Sequence, residues 1–172
     1  MQNGQTSSKE VFLGEQFGKA IVHAGDVTIE ITDTGDVTVH TNGKVGTLPG
    51  PQRTPGDIQP DRTIYVGISP DTHRPFYVQP RDMPHPMSWN RSMDGAQIFE
   101  AYQHNDWREP TKGELSMMYQ IAAKLGLDKD DQWHWASDVN PKNDDTAWVE
   151  RINCKGQYVW KGLTLATRYV RG

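Results

Sequence analysis

The chain has 172 residues, with six tryptophans, a single cysteine and a net charge of −4 from 18 basic and 22 acidic residues. This length is typical of one domain, or of one domain with a small appendage, and the charge supplies no general positive field for binding nucleic acid. Because Cys154 is alone, an intramolecular disulfide framework and a cysteine-based zinc site are both excluded.

Residues 1–18 are polar and contain glycine, which predicts an N-terminal arm. A polar arm is usually held by its own domain or by a neighbouring chain, and this favours an assembly. The arm lacks a basic segment followed by an apolar one, so we expect no secretory signal peptide. We also expect no membrane span, because no run of about 18 apolar residues occurs. These features predict a location in a virion or in the cytoplasm.

Residues 19–62 are predicted to be a β-rich segment that ends in a proline-rich linker. G-D-V-T-I-E at 25–30 is followed by G-D-V-T-V-H at 35–40, and in both blocks β-branched residues alternate with other residues. This period of two predicts half-buried strands, and Asn42-Gly43 predicts a hairpin turn. Two units fall short of a repeat array, so a β-meander is favoured over a fibre repeat. Four prolines between Gly46 and Arg62 predict the domain boundary.

Residues 63–172 are predicted to alternate between short strands and two helices. Strands are predicted at residues 64–68, 75–78, 133–137, 147–152, 158–160 and 163–170. A rough 3.6-residue period between Met93 and Tyr102 predicts the first helix, with Ser88 or Asn90 as its N-cap. Between Asp138 and Asp145 the sequence predicts a polar loop.

The second helix is predicted over residues 112–125. Pro110 disfavours helix in the residue before it, and Thr111 with Glu114 three residues later forms a capping box. Gly126 suits the position just after the helix. One face of this helix is apolar and contains Leu115, Met118, Tyr119, Ala122 and Leu125.

Several of these pieces resemble the signatures of one family. Trp107-Arg108-Glu109-Pro110-Thr111 with Glu114-Leu115 resembles the W-R-L-P-T-x-x-E-L signature of bacterial and phage C-type-lectin-like domains. Trp135-Ala136-Ser137 is similar to the Y-W-S-S strand of that family, and Ala147-Trp148 to its A-W strand. The ending Thr167–Arg171 is similar to its V-R-C-V-R strand. The resemblance covers roughly residues 63–172, in the family's order and spacing.

The resemblance implies an α+β fold with two helices on a small, mostly antiparallel sheet and long loops that display a binding surface. Its relatives include formylglycine-generating enzymes and ligand-displaying tip proteins of phage. The structural residues that it implies are Trp107, Arg108, Pro110, Thr111, Glu114, Trp148 and Arg168. Glu109 stands where the family has a buried leucine, so we expect its side chain either to turn outward or to find a partner.

The candidate ligand-binding residues lie around the predicted polar loop. Trp133 and Trp135 share a strand face and could stack on a sugar, although tryptophans more often pack in a core. The polar candidates beside them are Asp138, Asn140 and Asn143. Oxygen-rich Asp138, Asp144 and Asp145 are a weak calcium candidate, because calcium prefers six to eight oxygen ligands. Asx residues beside a proline are also ordinary turn formers, and no other cofactor is expected.

No catalytic constellation is predicted, because nothing places a base beside Cys154. We therefore expect a non-enzymatic recognition or structural module, such as a phage tail, fibre or baseplate component. Its expected partners are a protein or carbohydrate ligand, other virion subunits and further copies of itself. The alternatives are a secreted bacterial effector or enzyme that uses the same loop surface, and an intracellular domain that binds a small ligand.

Overall fold

A computed structural model describes residues 12–16, 19–24, 27–32, 37–41, 44–48, 53–128 and 131–172. The chain divides into two compact units, Met1–Gln52 and Arg53–Gly172. Of the predicted arm, only residues 12–16 are described, and they form a strand. The predicted turn at Asn42-Gly43 lies outside the described residues. No helix in the described part of the chain is long and apolar enough to cross a membrane.

The N-terminal unit contains a five-stranded antiparallel meander. Its strands are β1 (Phe12–Gln16), β2 (Lys19–Ala24), β3 (Val27–Thr32), β4 (Val37–Thr41) and β5 (Lys44–Leu48). The two repeated sequence blocks become the neighbouring strands β3 and β4, in which Ile29 pairs with Val39 and Ile31 with Val37. Apolar side chains therefore stand opposite one another, which is the pairing that stabilises a sheet.

The C-terminal unit is α+β, as predicted, with two three-stranded antiparallel sheets. Its elements are β6 (Ile64–Ile68), β7 (Pro75–Val78), α1 (Trp89–Gln97), α2 (Lys112–Gln120), α3 (Ala122–Leu125), β8 (His134–Asn140), β9 (Asn143–Arg151), β10 (Cys154–Trp160) and β11 (Val170–Arg171). One sheet has the order β11-β7-β6 and the other the order β10-β9-β8.

Helix α2 contributes the centre of the main core. Leu115 and Met118 on its apolar face are fully buried, together with Phe76 and Val78 of β7 and Val170 of β11. Ala136 of β8 joins the same cluster. The apolar residues whose spacing predicted α2 thus form the face that packs against strands of both sheets.

The beginning of α2 has the predicted geometry. Thr111 accepts a bond from the backbone N–H of Glu114, and the Glu114 side chain accepts one from the backbone N–H of Thr111. Arg108 donates two bonds to the two oxygens of the same carboxylate, at 2.6 and 2.7 Å. Burial opposes ionisation of Glu114, but these bonds hold the pKa of its carboxyl below the ordinary value.

The end of α2 differs from the prediction of one helix over residues 112–125. The backbone leaves helical geometry at Ile121, whose N–H bonds the carbonyl of Met118 three residues back. Such a bond tightens the last turn and ends α2, and α3 then begins anew. Gly126 follows α3 with a positive φ of 71°, as a residue in the C′ position requires.

Two other predicted elements are shorter than expected. Helix α1 stops at Gln97, and the backbone leaves helical geometry at Ile98, whose N–H bonds the carbonyl of Gly95 three residues back. A tight turn that pairs Ala101 with His104 follows, in which Tyr102 and Gln103 adopt positive φ. The predicted closing strand over residues 163–170 is reduced to β11. The residues before it bond the irregular segment 79–87 through separate backbone contacts, so no regular ladder forms.

We expect Arg108→Ala to lower the free energy of unfolding by about 2–4 kcal/mol, because it leaves the buried carboxylate of Glu114 without its charged partner. Arg108 is itself about one-third exposed, which places the effect in the lower part of the range for a broken buried pair. Arg171→Ala is the control, since it removes a more exposed pair with Asp106 and should cost below about 1 kcal/mol. Urea denaturation measures both, and equal losses would contradict this role of Arg108.

Candidate functional site

The two tryptophans predicted to bind ligand have different environments. Trp135 is 0% exposed, and its indole N–H donates to the carbonyl of Met87 at 2.9 Å. It packs in the core with Ala147 and Val149, so no ring face is open to a ligand. Trp133 is partly buried, and the guanidinium of Arg151 lies 5.0 Å from its ring centroid. The structure therefore does not bring these two rings to one open surface.

The prediction of a polar loop between Asp138 and Asp145 is wrong, because only Pro141 and Lys142 lie between β8 and β9. A two-residue turn suffices because Asn140 accepts a bond from the backbone N–H of Lys142 at 3.0 Å. Asn143 likewise accepts one from the N–H of Asp145 at 3.1 Å. These side chains hold the hairpin in shape.

Asp138, proposed from sequence for both ligand and calcium, has a structural contact. Its carboxylate accepts a bond from the backbone N–H of Lys112 at 2.6 Å, at the start of α2. A carboxylate in this place satisfies a helix N–H that has no partner inside the helix. In the described part of the chain, no three His, Cys, Asp or Glu side chains are grouped so that they could hold a metal ion.

The residues that the resemblance marks as structural are buried or half-buried. Trp107 is buried between the rings of Phe99 and Tyr102, at 5.8 and 5.9 Å between centroids. Arg168 is buried and donates to three backbone carbonyls, those of Gln79, Pro80 and Leu125. Trp148 is half-buried, and the ammonium of Lys112 lies 3.9 Å from its ring centroid. Pro110 is buried, and its carbonyl accepts a bond from the backbone N–H of Ser137.

An open cleft lies where the β9–β10 hairpin meets the start of α1. We call it the Trp160 cleft, and its lining residues are Ser88, Asn90, Asp144, Asp145, Trp160, Lys161 and Gly162. Its volume is about 320 Å³. Two of the predicted calcium residues, Asp144 and Asp145, belong to it. In the described part of the chain, neither of these two carboxylates has a hydrogen-bonding or ionic partner.

Trp160 is the residue of this cleft that the sequence did not single out. It is 63% exposed, although it is the last residue of β10 and pairs with Thr146. A Cβ on Gly162 would lie 2.4–2.6 Å from three atoms of its six-membered ring. The ring therefore rests on a glycine, which has no side chain to displace it. A tryptophan that ends a strand just before a glycine-bearing turn is the sequence signal that could have found it.

A second arrangement of polar side chains is enclosed between α2, β8 and residues 79–88. His134 contacts Asp82 through Nε2 at 3.1 Å and the hydroxyl of Tyr119 through Nδ1 at 2.8 Å. Burial opposes ionisation of Asp82, but the His134 bond and the charge of Arg168 lower the pKa of its carboxyl. A cavity of about 470 Å³ borders Asp82 and Arg168.

The members of this arrangement also have structural contacts. The Tyr119 hydroxyl also donates to the carbonyl of Glu150 at 3.0 Å, and burial raises the pKa of Tyr119. The Tyr119 hydroxyl thus already contacts His134 of β8 and Glu150 of β9, and it stays protonated. His134 is buried between its two partners. We interpret the cluster as a structural contact that holds α2 against the β8–β9 strands.

Comparison of the chain with models of known protein families and with curated proteins finds no match.

Glu109 has found an interior partner, one of the two outcomes that its sequence position predicts. Its side chain is 1% exposed, and Ser92 of α1 donates a hydrogen bond to one of its oxygens. The other oxygen has no partner in the described part of the chain. Burial raises the pKa of Glu109 from its ordinary 4.5 to about 8, against a lowering influence from the Ser92 bond. The carboxyl is therefore neutral at pH 7.

We expect the free energy of unfolding to fall between about pH 5 and pH 8 by roughly 1.4 kcal/mol per pH unit, because Glu109 keeps its proton in the folded protein and loses it in the unfolded chain. Its contribution is fully present below pH 4.5 and is lost as the pH rises through about 8.

The matched variant is Glu109→Gln, which keeps the shape and stays neutral, and its stability should lack this slope. Urea denaturation at several pH values measures both proteins. Parallel curves for the two proteins would contradict a raised pKa at Glu109. Glu109→Leu should also gain stability relative to wild type near pH 8, since the leucine of the resembling family carries no charge to bury.

Proposed function

We propose that this protein is a non-enzymatic recognition module, whose C-terminal unit has a C-type-lectin-like architecture and displays a ligand-binding surface. We place it in a virion, as a component of a phage tail, fibre or baseplate. The N-terminal meander would then serve as its attachment or assembly segment.

The lectin-like part of the proposal is supported by the position of the resembling motifs. Trp107, Arg108 and Thr111 lie where an extended segment enters α2. Trp135 and Ala147 form a buried cluster with Val149 of β9, against which Trp89 of α1 packs. These motif residues are thus engaged in holding helices and sheets together, which is the structural role that the resemblance implies for them.

The observation that carries the recognition function is the exposed Trp160 in its cleft. Large aromatic side chains are usually buried, and an exposed ring bordered by polar groups is typical of a binding surface. The free carboxylates of Asp144 and Asp145 add directional acceptors beside the ring. In the Asp82–His134–Tyr119 cluster, in contrast, the side chains bond one another and the carbonyl of Glu150.

We expect Trp160→Ala to weaken binding at least tenfold on an array that carries immobilised glycans and peptides, because it removes the ring that forms one wall of the cleft. The fluorescently labelled full chain is the probe. Ile98→Ala, which truncates a residue that is 83% exposed and does not line the cleft, should bind as wild type does. Indistinguishable patterns for wild type and Trp160→Ala, including no binding by either, would refute a recognition function at this cleft.

The proposed assembly role of the meander is supported by its edges. In the described residues, β1 pairs only with β2 and β5 only with β4, so each edge strand has one side without a partner strand. Unpaired edges readily add a strand from another copy. Val45 of β5 is 65% exposed on one of these edges.

We expect static light scattering at about 0.1 mM to give a mass that is a multiple of the 19.5 kDa chain. Val45→Lys should shift the population toward monomer, because a charge on an edge strand disfavours strand addition. Ile98→Lys is the control for an added charge in the other unit. A wild-type chain that is strictly monomeric would count against the assembly role and leave the ligand-binding proposal to its own test.

A further inference from the structure

We infer that the Trp160 cleft binds a neutral saccharide, with one pyranose ring stacked on Trp160. This assignment rests on the recognition function proposed above and specifies the class of its ligand. Four features of the cleft support it, namely the orientation of the ring, the polar groups around it, the charges of those groups and the size of the space.

The orientation of the Trp160 ring leaves one face open. Three atoms of its six-membered ring lie at nearly equal distance, 2.4–2.6 Å, from the place where a Cβ on Gly162 would be. Equal distances mean that the ring covers Gly162 with its face rather than with an edge. Since the side chain is 63% exposed, the opposite face is available. A flat apolar face suits the C–H side of a pyranose ring, which is also flat and apolar.

The polar groups of the cleft match the hydroxyls of a sugar. Asp144, Asp145 and Asn90 are exposed and offer planar carboxylate or amide groups, which can bond two neighbouring hydroxyls at once. Ser88 is in the N-cap position of α1, but its side chain forms no capping bond and remains available. A linear apolar or aromatic ligand would leave these donors and acceptors without partners.

The charges of the cleft favour a neutral ligand. Asp144 and Asp145 disfavour an anionic sugar. The ammonium of Lys161 lies 4.1 Å from the ring centroid of Trp89, and its charge disfavours a cationic ligand next to it. The helix α1 begins at the same place, and its N-terminus adds partial positive charge of about half a unit. Opposite charges in one small space leave no strong field of either sign.

The size of the cleft limits the ligand to a small unit. Its volume of about 320 Å³ lies at the low end of the roughly 300–1,000 Å³ that is usual for small-molecule sites. One sugar ring fills such a space, and the remaining rings of a longer glycan would extend into solvent. A folded protein partner would need a far larger contact area than this cleft supplies.

The experiment is an NMR titration of the full chain that follows the indole N–H signals of its six tryptophans. The signal of Trp160 is identified by its loss in Trp160→Phe. The probes are the methyl pyranosides of glucose, galactose, mannose and N-acetylglucosamine, each added up to about 100 mM. Sorbitol is the control ligand, because it has the hydroxyls of glucose but no ring.

We expect at least one pyranoside, and not sorbitol, to shift the Trp160 indole with a dissociation constant on the order of millimolar, as suits a ligand of this size. Asp144→Ala should weaken that affinity at least threefold. Trp133→Phe, which alters the sequence-predicted aromatic candidate outside the cleft, should leave it unchanged.

Three results would overturn the saccharide assignment. They are no pyranoside shift at Trp160, an equal shift with sorbitol, and a shift confined to another tryptophan. If array binding still depended on Trp160 but were confined to peptides, the recognition function would stand with another ligand class. If no array binding depended on Trp160, both proposals would fail.

Discussion

The bidentate contact between Arg108 and Glu114 is the interaction on which the C-terminal unit depends. Glu114 lies within the first turn of α2, and Arg108 lies in the extended segment that bonds β11 through the backbone of Val170. One buried carboxylate thus connects a helix start, an extended segment and a sheet. Because a buried charge must be paired, this contact holds the start of α2 against the extended segment. Leu115 and Met118 then meet the strands, and the rest of the core follows from that placement.

The second sheet is joined to the same point by a different contact. Asp138 of β8 bonds the first N–H of α2, so the β8–β9 hairpin is positioned by the helix that it covers. The hairpin needs only a two-residue turn, and its Asn side chains satisfy its own backbone. The Trp160 cleft lies at the start of β9 and the end of β10, next to α1. A binding surface on regular strands is held more rigidly than one on a long loop.

Local signals in the sequence were enough to predict α2, its cap and the alternating strands of the meander. These features depend on neighbouring residues, as in Thr111 with Glu114 or Ile29 with Ile31. The break at Ile121, the early end of α1 and the short β11 have no such signal in the neighbouring residues and were not predicted. The site was misplaced for the same reason. The sequence predicts a strand at both Trp135 and Trp160, and packing determines that Trp135 is enclosed while Trp160 rests open on Gly162.

The contacts of Arg168 affect how the C-terminal unit unfolds. Its guanidinium holds the carbonyls of Gln79, Pro80 and Leu125, which belong to segments distant in the chain. If any one of these segments opened alone, it would leave a buried cation with an unsatisfied donor. Opening one of these segments alone is therefore less favourable here than it would be without the buried cation. The irregular stretch around residue 80, which has no helix or ladder of its own, should share the exchange protection of the core and behave as part of one cooperative unit.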